Sequence, residues 1–452
     1  MTKAFGWRRR DLLRAAPALA ACGVLARPAG ADQRPAAERR AIAGDPVEPK
    51  WESRLTVTVG PQKADLMGGD EKVIQAAVDY MAGWGGGTVH ILPGTYRLRN
   101  AVFLRSGVRI LGSGTDAVLV KTQEVKSKLA ADADAWDQEV TLADASGFQV
   151  GDGVCLQVND VQHKGHYIIR RTLVARSGNR FKLDRSLEED DFTLRGGAQA
   201  MTLYPLICGD GVADAAIENL ALDGDKANQE TLYHFWGNFV GGVWLTKSNR
   251  IAIRKVTSRN SCADGISWQL SHDVTVEECH CHDNVGFGLH PGTGSQRPVA
   301  RGNRLERNYI GFYFCYGVKN GLVEHNVITD SETSGVSIGQ KDTDNLVRDN
   351  RIERSREVGV LFRALDPVAA PHRNRVEDNV ISDSGGEGGI GVDVQGQVET
   401  VTIARNRIRE TRQPMKRVGV RIGARTRDVK LVENAIEGFA VEISDLRKPA
   451  GS

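Results

Sequence analysis

Short apolar segments recur through the C-terminal half of the chain, one about every 20 to 30 residues. Each follows a glycine and has apolar residues one and three positions after it. The glycines are Gly242, Gly265, Gly286, Gly311, Gly335, Gly359, Gly389 and Gly419. Because successive side chains of a strand point to opposite faces, these two positions are predicted to form the core. Self-similarity at this period predicts a solenoid with one coil per repeat.

A second strand of the repeat ends in asparagine. The column contains Asn219, Asn303, Asn326, Asn350, Asn379, Asn406 and Asn434. A regular column of amides predicts a ladder of hydrogen bonds from coil to coil rather than a set of ligands. Parallel strands joined by crossovers are nearly always right-handed, so the predicted coil is right-handed.

The chain before the repeats has a different pattern. Asp70 to Gly83 predicts an amphipathic helix with Asp70 as N-cap. Residues 125–205 alternate as strands and contain a Ser177–Asn179 hairpin turn, which predicts an inserted β-subdomain. The predicted organisation is an export signal (1–31), a linker (32–50), a cap with the first coils (51–124), the insert (125–205), the main repeats (206–446) and a tail (447–452).

The capping helix, the Gly-bounded strands after it and the asparagine column resemble the pectin-lyase-like right-handed parallel β-helix proteins. In that superfamily such a helix closes the open end of the tube. The resemblance implies an all-β, right-handed parallel β-helix with an N-terminal capping helix and a small inserted β-subdomain.

The net charge limits the classes of partner that are expected, and the N-terminal sequence indicates the location of the protein. Lys and Arg number 59 against 57 Asp and Glu, so no basic excess indicates nucleic acid, and no long apolar run indicates a membrane span. Arg9 and Arg10 begin a stretch that resembles a twin-arginine export signal, with a cleavage site at Ala31. The residues before Cys22 also resemble a lipoprotein box, which leaves a lipid anchor at Cys22 open. A periplasmic or extracellular location is expected.

Function is expected on the outward column four residues after each glycine. That column reads Thr246, Gln269, His290, Cys315, Gly339, Arg363, Asp393 and Gly423. His290 and Arg363 would lie three coils, roughly 14 Å, apart. Only small residues stand between them, which predicts a trough for a polysaccharide. Tyr313 and Tyr316 would flank it, and Gln269, Gln340 and Trp244 complete the predicted substrate-binding set.

Lys341 is predicted to lie roughly 8 Å from Arg363 at the Cα atoms. Removing the C5 proton of a uronate needs a base and positive charge for the enolate-like intermediate. Arg363 and partial burial would lower the pKa of Lys341 and make it a base. The alternative is that both are solvated surface cations, with Lys341 paired to Asp342 or Asp344.

Two local resemblances concern this chemistry. Lys341 to Asn345, Asn350 and Phe362–Arg363 resemble the Lys-base and Arg-acid region of the chondroitinase-B and alginate-lyase family. That family places acidic calcium ligands before the lysine. Here Ser334, Val336 and Ile338 stand there, so no cofactor is firmly expected and calcium stays an open expectation. Gly286 to Pro291 resembles a mannuronan C5-epimerase stretch, with His290 at the place of an Asp and Gly292 at that of a His.

The sequence therefore predicts an exported protein that binds an acidic polysaccharide and cleaves it by β-elimination. A C5-epimerase, a glycoside hydrolase and a non-catalytic carbohydrate-binding solenoid remain alternatives. A hydrolase needs clustered Asp, whereas Asp393 alone is predicted to be outward and Asp264 is interpreted as a turn residue.

Several smaller features are weaker candidates. The Cys279–His282 run cannot place both Cys and both His on one zinc ion, since they alternate on a strand. His163, His166, Asp190 and Asp191 are assigned to loops of the insert. The aromatic run from Leu232 to Trp236, with Phe239, is either a sugar platform or a loop packed on the coil.

Overall fold

The structure is a computed structural model that describes residues 48–160, 165–188, 191–235, 237–413 and 416–447. The predicted export signal with Cys22, most of the linker, His163, Asp190 and Trp236 lie outside the described residues. The side chain of His166 does so as well.

The N-terminal part combines the first strands of the solenoid with the helix. The strands are β1 (Thr56–Gly60), β2 (Leu66–Met67), β3 (Gly87–Ile91), β4 (Gly94–Leu98), β5 (Val102–Phe103), β6 (Val108–Gly112) and β7 (Ala117–Lys121). Helix α1 (Glu71–Gly83) begins where the Asp70 carboxylate accepts the N–H groups of Lys72 and Val73, which confirms the predicted N-cap. Its apolar stripe, including Ile74 and Met81, joins the solenoid core next to β1 and β3.

The insert is an antiparallel sheet with its own apolar core. Its strands are β8 (Lys126–Lys128), β9 (Glu139–Thr141), β10 (Gly153–Asp160), β11 (Gly165–Ser177), β12 (Arg180–Leu183) and β13 (Gln199–Met201). They are ordered β8-β13-β10-β11-β12-β9. Phe148, Phe181 and Phe192 are buried in this second core, apart from the residues of the solenoid.

The remaining strands repeat three to a coil. They are β14 (Ile207–Asp210), β15 (Ala213–Glu218), β16 (Ala221–Asp223), β17 (Val243–Thr246), β18 (Asn249–Arg254), β19 (Thr257–Arg259), β20 (Ile266–Gln269), β21 (His272–Glu277), β22 (His280–His282), β23 (Phe287–Pro291), β24 (Val299–Arg301), β25 (Arg304–Glu306), β26 (Ile310–Tyr313), β27 (Leu322–Glu324), β28 (Val327–Thr329), β29 (Ser334–Ile338), β30 (Leu346–Arg348), β31 (Arg351–Glu353), β32 (Val358–Phe362), β33 (Arg375–Glu377), β34 (Val380–Ser382), β35 (Ile390–Val394), β36 (Glu399–Ala404), β37 (Arg407–Arg409), β38 (Val418–Ile422), β39 (Arg427–Val432), β40 (Ala435–Glu437) and β41 (Val441–Asp445).

Within the described residues these strands, with those of the N-terminal part, form three long parallel sheets of 13, 11 and 11 strands. Sheet A runs from β2 to β39, sheet B from β4 to β40, and sheet C from β5 through β14 to β41. Each sheet gains one strand per coil, and the apolar side chains between the sheets form one continuous core. The predicted parallel β-helix is confirmed.

The predicted register is wrong in two coils. Leu289 pairs with Ile266, and Val392 pairs with Val360, so the glycines in register with Gly265 and Gly359 are Gly288 and Gly391. The repeat pattern in the sequence instead predicts Gly286 and Gly389 as the glycines of these two coils. Side chains alternate with a period of two, so a shift by two residues keeps the apolar pattern intact and the pattern alone cannot detect it.

The corrected register moves His290 and Asp393 to the column two residues after each glycine. We call this outward row the central column; it contains Trp244, Ser267, His290, Tyr313, Ser337, Leu361, Asp393 and Arg421. His290 is therefore next to Tyr313 on the adjacent strand. Phe287, predicted to be in the main core, instead packs with Ile310 and Tyr313 in a separate cluster.

The asparagine ladder is confirmed from Asn303 to Asn434. In each step the backbone N–H and the side-chain Nδ2 of one asparagine donate to Oδ1 of the next, at 2.9 to 3.0 Å. Asn219 is not a member, because Glu218 pairs with Arg254 and places Leu220 in the column. Shorter stacks join Asn284 to Asn308 and Asn345 to Asn374.

Candidate functional site

A cavity of about 480 Å³ lies on the outer face of sheet C. It lies over the first four residues of the central column, on the adjacent strands β17, β20, β23 and β26. The lining residues are Phe235, Asn238, Trp244, Gln269, Leu270, Phe287, His290, Thr293, Tyr313, Cys315 and Gln340. Five of the eight predicted site residues line this cavity: His290, Tyr313, Gln269, Gln340 and Trp244.

His290 and Asp264 form a buried pair on the cavity wall. His290 Nδ1 lies 2.7 Å from Asp264 Oδ2, and the side chains are 6% and 3% exposed. Asp264 Oδ1 accepts the backbone N–H of Phe287, which fixes the carboxylate. Burial works to lower the pKa of His290, but the Asp264 carboxylate, helped by the nearby Cys315 side chain, outweighs it and raises the pKa to about 9. Asp264 thus positions an imidazole, and the interpretation as a turn residue is wrong.

Three buried nitrogen atoms on the cavity walls have no hydrogen-bond partner among the residues that the structure describes. They are His290 Nε2, Trp244 Nε1 and Gln269 Nε2. The Gln269 amide lies over Gly292, where any side chain would collide with it. Leaving a buried polar group unpaired costs free energy, so three on one wall indicate a site that a polar ligand completes.

Aromatic rings also line the cavity. Tyr313 stacks on Phe287 with ring centroids 4.1 Å apart, and its ring meets that of His290 edge-on at 5.2 Å. Phe235, from the aromatic run noted in the sequence, contacts Phe287 edge-on at 5.2 Å and lines the cavity. Burial raises the pKa of Tyr313 to about 12, although Arg363 opposes the shift. Tyr313 therefore keeps its proton at neutral pH.

Arg363 reaches back across two coils toward this cluster. Its guanidinium lies 4.4 Å from the Tyr313 ring centroid. It donates at 2.8 Å to Ser337 Oγ and to the carbonyl of Phe314, and lies 3.5 Å from Asp342 Oδ2. Any side chain at Gly339 would collide with it. The guanidinium therefore occupies part of the predicted open trough, and the missing side chain at Gly339 makes room for it.

Lys341 lies at the edge of the site and contacts neither predicted acidic partner. Its Nζ is 3.5 Å from the Tyr316 hydroxyl and 5.4 Å from the centre of that ring. Asp342 is paired with Arg363, and Asp344 with Arg373. Lys341 and Arg363 thus make separate contacts, Lys341 with Tyr316 and Arg363 with Tyr313.

The other carboxylates considered in the sequence are occupied. Asp393 is buried and holds Arg421 with two contacts of 2.8 and 2.5 Å. Asp191 accepts the backbone N–H of Ala135 within the insert. Burial raises the pKa of Asp342 to about 7, although Arg363 and three backbone N–H groups oppose the shift.

The Cys279–His282 run alternates as expected. Cys279 and Cys281 are buried in the core, while His280 and His282 face outward and contact Glu306 and Asp283. Among the described residues, no group of three or more His, Cys, Asp or Glu side chains could hold a metal ion. Within the same residues, no helix has the length and hydropathy needed to cross a membrane.

Sequence reasoning missed Asp264 and Phe287, and it placed His290 in the wrong column. The available signal was the pair Gly286 and Gly288, two residues apart, either of which fits the repeat. Choosing Gly288 would have put Asp264 beside Phe287 on the neighbouring coil and His290 beside Tyr313.

Comparisons with known proteins agree with this architecture. A family model described as "Right handed beta helix region" matches residues 217–352 and 315–436. The matched region and the three parallel sheets agree in giving the chain the fold of a right-handed parallel β-helix.

Among solved structures, the chain is similar to the A-module of the mannuronan C-5 epimerase AlgE4 of Azotobacter vinelandii. The identity is 15%, the coverage 86% of this chain and 97% of that one, and the TM-score 0.52. It is also similar to ORF18 of Geobacillus virus E2, with 13% identity, coverage of 86% and 62%, and a TM-score of 0.51. At these identities the likeness concerns the fold. No curated protein matches the chain in sequence.

Proposed function

We propose that this protein binds a uronate-containing polysaccharide along the outer face of sheet C and cleaves it by β-elimination after C5 proton abstraction. The observation that carries the proposal is the buried Asp264–His290 pair, which shares a cavity with Tyr313. Within the described part of the chain, the second imidazole nitrogen of His290 makes no hydrogen bond. A polymer of this type is also named for the structurally similar mannuronan C-5 epimerase.

The first step is proton transfer from C5 to the neutral form of His290 at Nε2. Asp264 holds the imidazole in the tautomer that leaves Nε2 free and stabilises the imidazolium that forms. Charge then develops on the substrate carboxylate. The unpartnered N–H groups of Trp244 and Gln269, with the nearby positive charge of Arg363, stabilise this enolate-like state.

The second step breaks the C4–O4 bond. The electron pair from C5 forms the C4=C5 double bond, and the leaving O4 takes a proton from the Tyr313 hydroxyl. Tyr313 suits this role because its raised pKa keeps it protonated, and because its ring is in contact with that of His290. The products are an unsaturated uronate and a new chain end.

Lys341 has a binding role in this scheme. Within the described residues its ammonium is paired with no carboxylate, and it lies on the exposed Tyr316 ring. A carboxylate of a neighbouring sugar would pair with it while that sugar stacks on Tyr316. The resemblance to the chondroitinase-B and alginate-lyase family favours Lys341 as the base instead, and comparison of Lys341 and His290 variants separates the two assignments.

A C5-epimerase is the second candidate, because it shares proton removal at C5 and differs in returning a proton to the opposite face. Glycoside hydrolysis is less well supported, since it needs two available carboxyl groups and those of Asp264 and Asp393 are held by His290 and Arg421. Export through the twin-arginine signal, with cleavage after Ala31 or lipidation at Cys22, completes the proposal.

The test is a screen of purified protein against alginates, pectins and glycosaminoglycans. Elimination gives the ultraviolet absorbance of an unsaturated uronate, whereas epimerisation gives exchange of H5 in deuterated water without it. Reducing ends alone would indicate hydrolysis. Binding without any product would leave a carbohydrate-binding solenoid and overturn the catalytic proposal. His290→Ala is the control, and it should abolish either C5 reaction.

A further inference from the structure

A second cavity, of about 390 Å³, lies between the insert and the first coils. One wall is β11 of the insert, and the other is formed by residues 100–105 and 204–210 of the solenoid. Four arginines line it: Arg105, Arg170, Arg171 and Arg185. Two carboxylates, Asp184 and Asp210, line it as well.

Arg170 differs from the other three arginines. Arg105 pairs with Asp79, Arg171 with Glu188, and Arg185 with Asp184. Arg170 donates to Cys208 Sγ at 3.2 Å, and its guanidinium lies 5.8 Å from the centre of the Trp244 ring. Among the described residues no carboxylate pairs with it. A half-buried guanidinium without an anionic partner is suited to an anionic group of a ligand.

The two cavities are neighbours on sheet C. Cys208 lines the Arg170 cavity, Trp244 lines the His290 cavity, and the two residues pair on adjacent strands. From Cys208 to Tyr313 the central column takes four steps, or about 19 Å at 4.8 Å per strand. That distance accommodates roughly four sugar residues, each about as long as one step.

We propose that the Arg170 cavity is a second anionic subsite, which binds a carboxylate of the same polyuronate chain several residues from the bond that is cleaved. This inference rests on the proposed function, because it assumes that the chain in the His290 cavity is acidic. It deepens that function in one respect: the protein should prefer long oligouronates, and the insert should supply that preference.

The experiment compares a diuronate with a hexauronate in steady-state elimination assays of wild-type protein and Arg170→Gln. The KM for the hexauronate should rise about tenfold, as expected for loss of one charge-assisted hydrogen bond, while kcat and the KM for the diuronate stay unchanged. Arg170→Lys should raise the KM for the hexauronate by less than Arg170→Gln does. The rise should also shrink at high salt.

Arg180→Gln is the matched control. Arg180 lies on the adjacent strand β12 of the same insert, is exposed, and pairs with Glu139 away from the cavity. It should leave both KM values unchanged. Thermal unfolding of each variant checks that the insert stays folded, and Arg170→Lys tests the charge should Arg170→Gln unfold.

The outcomes separate the two proposals. Elimination with an unchanged hexauronate KM in Arg170→Gln overturns the second subsite and leaves the proposed function intact. An equal rise for both oligomers also overturns it, because the effect then does not depend on chain length. Should no substrate react, calorimetric binding of the hexauronate by wild type and Arg170→Gln decides the subsite, and equal affinities or no binding overturn it.

Discussion

The outer faces of sheets A and B differ from the middle of sheet C in how they satisfy polar side chains. On sheet A, Arg301 pairs with Glu277 and Glu324, and Arg348 also pairs with Glu324. On sheet B, Arg354 pairs with Asp330 of the preceding coil. In the middle of sheet C, three buried nitrogens around one cavity have no hydrogen-bond partner among the described residues. Sheets A and B also contain unpaired atoms, such as His272 Nδ1 and Thr329 Oγ1, but those three nitrogens of sheet C are grouped around a cavity that a ligand could enter.

Sheet C itself contains both situations. Toward its C-terminal end, Asp393 and Arg421 face each other on successive strands and satisfy one another. Four strands before Asp393, His290 has one ring nitrogen hydrogen-bonded to Asp264 and one without a partner among the described residues. Because a stacked architecture can pair polar groups easily, three unpaired nitrogens around a single cavity favour a role other than stability for this part of sheet C.

Asp264→Asn should have the largest effect. The amide keeps the shape of the carboxylate but cannot stabilise an imidazolium, so elimination should slow by about 10²- to 10⁴-fold. The matched change Asp393→Asn, in the self-satisfied pair, should leave the rate within about twofold, because it touches no part of the proposed chemistry. Initial rates on the best substrate of the screen measure both.

Equal losses in the two Asp variants would show that the difference between the two ends of sheet C has no functional meaning. Unfolding curves of both variants are needed alongside the rates. A rate loss that tracks lost stability would assign Asp264 to the scaffold.

Variants of Arg363 and Lys341 distinguish a role within the cavity from a role at its edge. Arg363→Gln should lower the elimination rate by about 10²-fold, since a positive charge is lost beside the developing enolate. Lys341→Gln should mainly raise KM, by about tenfold or less, as expected for one solvent-exposed ionic contact. Rates at saturating and at low substrate concentration separate the two effects.

The opposite ranking, with Lys341→Gln nearly inactive and His290→Ala active, would make Lys341 the base, as the resemblance to the chondroitinase-B and alginate-lyase family implies. The cavity would then bind a neighbouring sugar.

The architecture could be predicted because its determinants repeat. The helix cap at Asp70, the core positions and the ladder from Asn303 to Asn434 each follow from local patterns that recur or are well defined. The sequence pattern assigns Asn219 to the ladder, but Leu220 occupies that column and Asn219 lies one residue before it. An error of one residue is enough to place a side chain in the wrong column.

The site could be predicted less well, because its determinants occur once. His290, Tyr313, Trp244, Gln269 and Gln340 were identified as candidates from residue type and outward position. The Asp264–His290 contact depends on a register that alternation leaves ambiguous by two residues. The direction of Arg363 depends on the space above Gly339, which is a three-dimensional property.

The pH dependence of stability is a second test of the Asp264–His290 pair. The pKa of His290 is raised to about 9 from an ordinary value near 6.5, so its contribution is fully present below pH 6.5 and is lost as the pH rises to 9. The difference in unfolding free energy between wild type and His290→Gln should shrink by about 3 kcal/mol across that window. Using the difference removes the common effect of buried thiols such as Cys279, whose raised pKa lowers stability above pH 9. The elimination rate should rise over the same window, because neutral His290 is the base. A pH-independent difference would contradict the Asp264–His290 pairing.

The smallest expected effects are on stability, and they compare the asparagine ladder with a surface ion pair of the same coil. Asn350 is buried and donates from Nδ2 to Val323, Arg348 and Asn379, while its Oδ1 accepts from Asn326. Asn350→Ala leaves these buried groups unpaired and should cost about 2 to 3 kcal/mol of unfolding free energy.

Arg354→Gln, four residues along the same chain, removes an exposed pair with Asp330 and one contact with Glu353, which Arg351 also holds, and should cost about 1 kcal/mol or less. Denaturant unfolding compares the two totals. Hydrogen exchange localises the first effect to the coils of Asn326 and Asn379, because each coil contacts only its neighbours. Similar costs for the two variants would mean that the ladder contributes no more than a surface ion pair, and that coil-to-coil pairing stabilises the inside and the outside of this solenoid equally.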